Sequence, residues 1–130
     1  MKPSNVDVFT EAYIEAALWS STDDEGNPLD SNYTVDSIAP ETLERMRADC
    51  AAFLAECEGI IDSCEPSYTG CSKWAYAGHD FWLTRVGSGV GFGDGDWPEP
   101  EANKLTEVSK RFGNVDLCIG DDGLIYGYGY

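Results

Sequence analysis

A chain of 130 residues, 42% hydrophobic and 12% aromatic, is long enough to bury a core and too apolar to be a disordered acidic tail. Twenty-four carboxylates face eight Lys and Arg, a formal net charge of −16. That excludes direct nucleic-acid binding and docking on an anionic membrane, since phosphates are repelled and no basic stripe exists to release counterions.

The same charge favours a basic partner, such as the groove of a nucleic-acid-binding protein. No apolar run approaches the roughly 20 residues of a membrane span. The N-terminus, Met1 to Asn5, leads into an amphipathic acidic stretch with no apolar signal core. The expected location is the cytoplasm, where thiols stay reduced.

The first predicted element is a helix over residues 7–19, with Phe9, Tyr13, Ala16 and Ala17 on one face. Residues 20–28 read as an exposed loop closed by Gly26 and Pro28, and residues 32–35 as an extended connection. A second helix begins at Pro40, which suits a first helical turn, with Glu41 and Glu44 at its positive end. Leu43, Met46, Cys50, Phe53, Cys57 and Ile60 alternate in steps of three and four, a core seam of about five turns.

Residues 79–85 are rich in strand formers, and Val90 to Phe92 follow a Gly-Ser-Gly turn, which predicts a hairpin. A third helix is expected over residues 104–112, with Asn103 as its N-cap and Gly113 as its stop. Residues 115–119 and 124–128 predict a second hairpin around Gly120 to Gly123. The expected fold is one α+β domain over residues 1–130, in the order α-α-β-β-α-β-β. Its sheet is antiparallel and four-stranded, with helices packed on it.

Little in this chain reads as catalytic or cofactor chemistry. Cys50, Cys57, Cys64 and Cys71 recur every seven residues, the period of a helical core, and Cys118 stands alone. The odd count and the lack of a C-x-x-C pair argue against a zinc site or a disulfide framework, and Cys50, Cys57 and Cys64 are expected to face the interior as small hydrophobes. Glycines 87, 89, 91, 93 and 95 alternate without matching a dinucleotide or phosphate loop, and in a strand they would leave one face bare for close packing. His79, Asp80 and Arg85 are the one polar trio that could suggest acid–base work, but on a strand His79 points away from Asp80. The acidic runs 94–101 and 120–123 miss the EF-hand pattern. No metal or cofactor is expected, and the chain reads as a non-enzyme.

The carboxylates are patterned. Asp7, Glu11 and Glu15 stand at i, i+4 and i+8, about 6 Å apart along a helix axis. Glu58, Asp62 and Glu65 make a similar stripe on the second helix, and Asp23, Asp24, Glu25, Asp30 and Asp36 lie between the two helices. A DNA strand presents a phosphate about every 3.4 Å. One stripe therefore carries about half a strand's charge density, and several could imitate a duplex face. These eleven carboxylates are the candidate partner-binding residues.

The alternative candidates for ligand binding are His79, Arg85, Gly89, Phe92, Trp97 and Tyr128. Gly89 and Phe92 belong to the glycine-rich hairpin, and Tyr128 to a C-terminal ridge of Tyr126, Tyr128 and Tyr130.

The stretches EAYIEAALWS (11–20), IAPETL (38–43), AGHDFWLTR (77–85) and GDDGLIYG (120–127) resemble a family of small acidic bacteriophage-encoded proteins of largely unknown function. The resemblance spans most of the chain. It implies a phage origin and expression in the host bacterial cytoplasm, and it brings no catalytic residues. With the acidity, it implies an inhibitor of a host nucleic-acid-binding defence or repair protein, of anti-CRISPR or anti-restriction type, acting at least partly as a DNA mimic. The alternative expectation is a non-catalytic phage accessory protein that binds a protein or small ligand through the glycine-rich hairpin and aromatic ridge.

Overall fold

Ser4 opens the first helix. Its hydroxyl accepts the backbone N–H of Asp7, and the Asp7 carboxylate accepts the N–H of Ser4, a capping box that satisfies two helix-end donors. In the computed structural model, which describes residues 4–23, 25–64, 72–87, 91–94 and 97–129, this helix (α1) runs Asn5–Ser20. Phe9, Tyr13, Ala16 and Ala17 are buried, as their spacing predicts. Short 3₁₀ turns at Leu29–Ser31 and Val35–Ser37 replace the extended connection expected over residues 32–35. Thr34 caps the second turn by accepting the Asp36 N–H.

The second helix (α2) spans Pro40–Ser63, with Pro40 in its first turn. Met46, Cys50, Phe53 and Cys57 of the predicted seam are buried, as are Leu54 and Ile61, while Leu43 and Ile60 lie at its margin. Lys73 closes the far end, donating to the carbonyls of Asp62 (2.6 Å) and Cys64 (3.4 Å).

The segment expected to begin a hairpin is instead a helix. The third helix (α3) covers Lys73–Arg85, and Ser72 caps it by accepting the Ala75 N–H. Tyr76, Ala77, Gly78, Asp80, Phe81, Trp82, Leu83 and Arg85 are all buried. A helix enclosed on nearly every side has no amphipathic period, so its aromatic run imitates a buried strand. Tertiary burial overrides the β preference of Phe81 and Trp82. The described part of that hairpin's second half is not strand either. Gly91 has φ +114°, and Phe92–Asp94 form a 3₁₀ turn; Gly89 and Val90 lie outside the described residues.

The fourth helix (α4) is Glu101–Arg111, with Pro100 rather than Asn103 at its N-cap and Gly113, at φ +84°, beyond its end. The C-terminal hairpin forms where expected. Strands β1 (Asp116–Ile119) and β2 (Ile125–Tyr128) pair antiparallel, with Asp116 opposite Tyr128 and Ile119 opposite Ile125. It is the only sheet among the described residues. The four-stranded α+β architecture is therefore corrected to a mostly helical one, α-α-α-α-β-β. The hairpin is fastened to the start of α2, where Ala39 N–H donates to the Ile125 carbonyl (2.8 Å) and Gly127 N–H to the Thr42 hydroxyl (3.2 Å).

Phe53 of α2 centres the core. Its ring stacks on Phe81 (4.2 Å between centroids), Phe9 (5.5 Å) and Phe92 (5.8 Å), while Tyr13 meets Trp82 edge-on. One cluster of buried side chains includes residues from all four helices and both strands.

Close packing of α1 on α3 depends on Gly78, where an added Cβ would overlap the Phe9 carbonyl. Gly78→Ala should cost about 1–3 kcal/mol as the helices are forced apart. Gly59, on the exposed side of α2 with nothing near its missing Cβ, is the control. Gly59→Ala should stabilise by about 0.5–1 kcal/mol. Urea unfolding of the two variants reads both signs.

Arg85 is buried at the end of α3. It pairs with Asp49 of α2 (2.9 Å), donates to the Tyr13 hydroxyl of α1 (3.0 Å), and donates to the Gly113 and Phe112 carbonyls after α4 (3.1 and 3.0 Å). Arg85→Ala leaves these acceptors without their donor and should cost about 3–5 kcal/mol. Asp49→Asn should cost less, because the Asp49 side chain is 28% exposed and water can replace part of the pair. Denaturant midpoints of the two variants test that order.

Candidate functional site

The outward face of α1 carries Asp7, Glu11 and Glu15, all exposed, on one side of an open groove. The opposite wall is the 29–37 segment with its two 3₁₀ turns, which adds Asp30, Tyr33, Thr34 and Val35. Ile14 and Leu18 form part of the floor. Among the described residues, Arg47 of α2 is the sole cation lining the groove, whose volume is about 800 Å³. Four of the sequence-predicted carboxylates thus meet around one concave surface. Sequence reasoning missed its other members, Tyr33, Val35 and Arg47, which join α1 only through tertiary packing.

The carboxylates differ in what else they do. Asp7 closes the α1 capping box, so part of its hydrogen-bonding capacity is spent at the helix end. Asp23 accepts the N–H groups of Glu25 and Asn27 (both 2.9 Å), which makes it the organiser of its own loop. Glu11 and Glu15 hold no ion pair or hydrogen bond among the described residues. The same holds for the carboxylates of Glu25, Asp30, Asp36 and Glu58, so what sets Glu11 and Glu15 apart is their place, with Asp7 and Asp30, around one groove.

The second stripe is weaker. Glu58 and Asp62 are exposed on α2, but the Lys73 ammonium lies 3.9 Å from the Asp62 carboxylate, and Glu65 is outside the described residues. Asp24 is outside them as well. Glu25 and Asp36 are exposed on the 25–37 connection.

The alternative candidates do not converge. Phe92 and Trp97 are buried in the core, and Trp97 Nε1–H donates to the Asp80 carboxylate at 2.7 Å. Arg85 belongs to the buried network at the end of α3. The His79 ring lies tilted against Trp19 at 5.1 Å between centroids, and its Nδ1 lies 3.9 Å from Asp80 Oδ1, beyond hydrogen-bond reach. Helical rather than extended backbone thus turns His79 toward Asp80, reversing the orientation expected for a strand. Tyr128 is 65% exposed on β2, and Gly89 lies outside the described residues.

At the hairpin turn the Asp122 carboxylate accepts from Leu124 N–H (3.0 Å) and the Tyr126 hydroxyl (2.6 Å). The phenol is the main cause of an Asp122 pKa below the ordinary carboxylate value, and the carboxylate in turn pushes Tyr126 up to about 12. This turn is internally satisfied. No group of three or more His, Cys, Asp or Glu among the described residues is arranged to hold a metal ion.

Among the described residues, no helix is long and apolar enough to cross a membrane. Compared with known protein families, curated proteins and solved structures, the chain matches none.

The cysteines make no redox pair among the described residues. Cys50, Cys57 and Cys64 are buried and Cys118 is half-buried; Cys71 lies outside the described residues. Burial pushes Cys50 far above the usual thiol range and Cys57 up to about 11. Brief treatment of native protein with an alkylating reagent near pH 8 should therefore label Cys118 while sparing Cys50, Cys57 and Cys64. Peptide mass mapping checks the pattern, and rapid labelling of Cys50 would contradict the buried seam.

Proposed function

We propose that this chain is a phage-encoded inhibitor that occupies the basic groove of a host nucleic-acid-binding defence or repair protein, acting at least partly as an acidic DNA mimic. The observation that carries the proposal is the outer face of α1, where Glu11 and Glu15 stand exposed beside Asp7 and Asp30, with no ion pair for any of the four among the described residues. Like charges four residues apart cost an isolated helix a few tenths of a kcal/mol each. A partner's Lys and Arg would offset that cost and draw the complex together from a distance. The net charge of −16 supports the same reading, as does the resemblance of four sequence stretches to small acidic phage proteins. In the host cytoplasm, such a protein would act by exclusion, without turning over a substrate.

The accessory-protein reading has less behind it. Its glycine-rich hairpin begins in what is helix α3, and Phe92, Trp97 and Arg85 are used inside the fold.

Capture from bacterial lysate on the immobilised chain, with elution by salt and by duplex DNA, is the test. A nucleic-acid-binding protein released by both should emerge. Its affinity should fall about tenfold or more for the Glu11→Lys, Glu15→Lys double variant. Unaltered binding by that variant, or a captured protein that DNA fails to displace, would sink the proposal.

A further inference from the structure

The groove beside α1 has a floor as well as a rim. Val6, Ile14 and Leu18 of α1, with Tyr33 and Val35 opposite, give it apolar surface. Val35 is 38% exposed, one of the few large hydrophobic side chains left open to solvent. Imitating the charge of a duplex requires no such floor. Apolar surface ringed by charge is the usual composition of a protein-docking patch, with a core that excludes water and a polar rim.

Resting on the inhibitor reading, we infer that the groove receives a cationic amphipathic helix of the basic partner. That helix would set Lys or Arg against the rim and aliphatic side chains on the floor. The α1 carboxylates repeat every four residues, about 6 Å along the axis. A facing helix with cations four residues apart has the same repeat, so three charge pairs stay aligned. An extended segment drifts by only about 1 Å over the stripe, but its side chains alternate between opposite faces, so it cannot set cations and aliphatic groups on adjoining faces as a helix does. Asp7 to Glu15 covers about 12 Å of axis along an open mouth, which suits an elongated ligand better than a compact one. Rim charges fix orientation and speed encounter, while the aliphatic contacts on Ile14, Leu18 and Val35 set how long the helix stays.

Two synthetic helical peptides of equal charge test this against the full chain by fluorescence anisotropy. Both carry Lys at every fourth position; one has Leu on the adjoining face and the other Gln. The Leu peptide should bind at least tenfold more tightly. Val35→Ser and Tyr33→Ala should each shrink that advantage while leaving the Gln peptide unchanged, and amide shifts should move at Val6, Ile14 and Leu18. Equal binding of the two peptides, a Leu advantage untouched by both substitutions, or shifts gathered at Glu58 and Asp62 would overturn the inference. Any of these could coexist with DNA-displaceable capture of a host protein, so the inhibitor reading would survive. Leu-dependent binding without DNA competition would separate them the other way, removing the inhibitor and keeping the groove.

Discussion

The guanidinium of Arg85 ties all four helices together through directed polar bonds. It reaches Asp49 on α2, the Tyr13 hydroxyl on α1, and the two carbonyls that follow α4, while its own stem ends α3. The ring faces of Phe81 and Phe112 lie 5.3 and 5.7 Å from its Cζ, so the charge is also held by aromatic electrons. A buried cation is tolerable only when its donors are used, and Arg's planar fork can serve several acceptors at once. Lysine, a single ammonium point, could not reach this set. The aromatic stack around Phe53 supplies burial, which is non-directional, and Arg85 supplies the directions.

A second polar contact extends the same logic to the loop after α3. Asp80 is buried and accepts Trp97 Nε1–H, while the Thr84 hydroxyl donates to the Asp80 carbonyl and lies 3.3 Å from the Phe92 amide that donates to it. These bonds draw Phe92 and Trp97 into the core, where Trp97 stacks on Tyr76 at 5.7 Å. Residues that look like surface anchors in a Pro- and Gly-rich stretch thus become packing residues.

Elements with one buried face were legible in the sequence. The steps of three and four in α2, the Phe9 and Tyr13 face of α1, and the Asp-Gly turn of the C-terminal hairpin all carry a period or a turn signal that burial preserves. Helix α3 has no such period, since contacts surround it, and its aromatic run then reads as a strand. The signals that identify it are Ser72 as a cap and Ala75, Ala77 and Gly78 as small residues on a helix packed closely against another. The acidic half of the groove was legible because i, i+4 spacing is local. The apolar half was not, because Tyr33 and Val35 meet Ile14 and Leu18 only after the loop folds back across α1.

That groove is built on a wall packed and hydrogen-bonded into the core. The helix presenting its carboxylates is clamped from behind, with Gly78 pressed to the Phe9 backbone, Tyr13 bonded to Arg85, and Trp82 reaching the Ser20 hydroxyl at its far end. A surface of long acidic side chains ordinarily loses much of its binding energy to the ordering of backbone and side chains on association. Here the backbone ordering was completed on folding. The charges are carried on a scaffold whose spacing cannot relax toward a poorer partner, so fidelity in choosing a ligand would arise from stiffness as much as from charge.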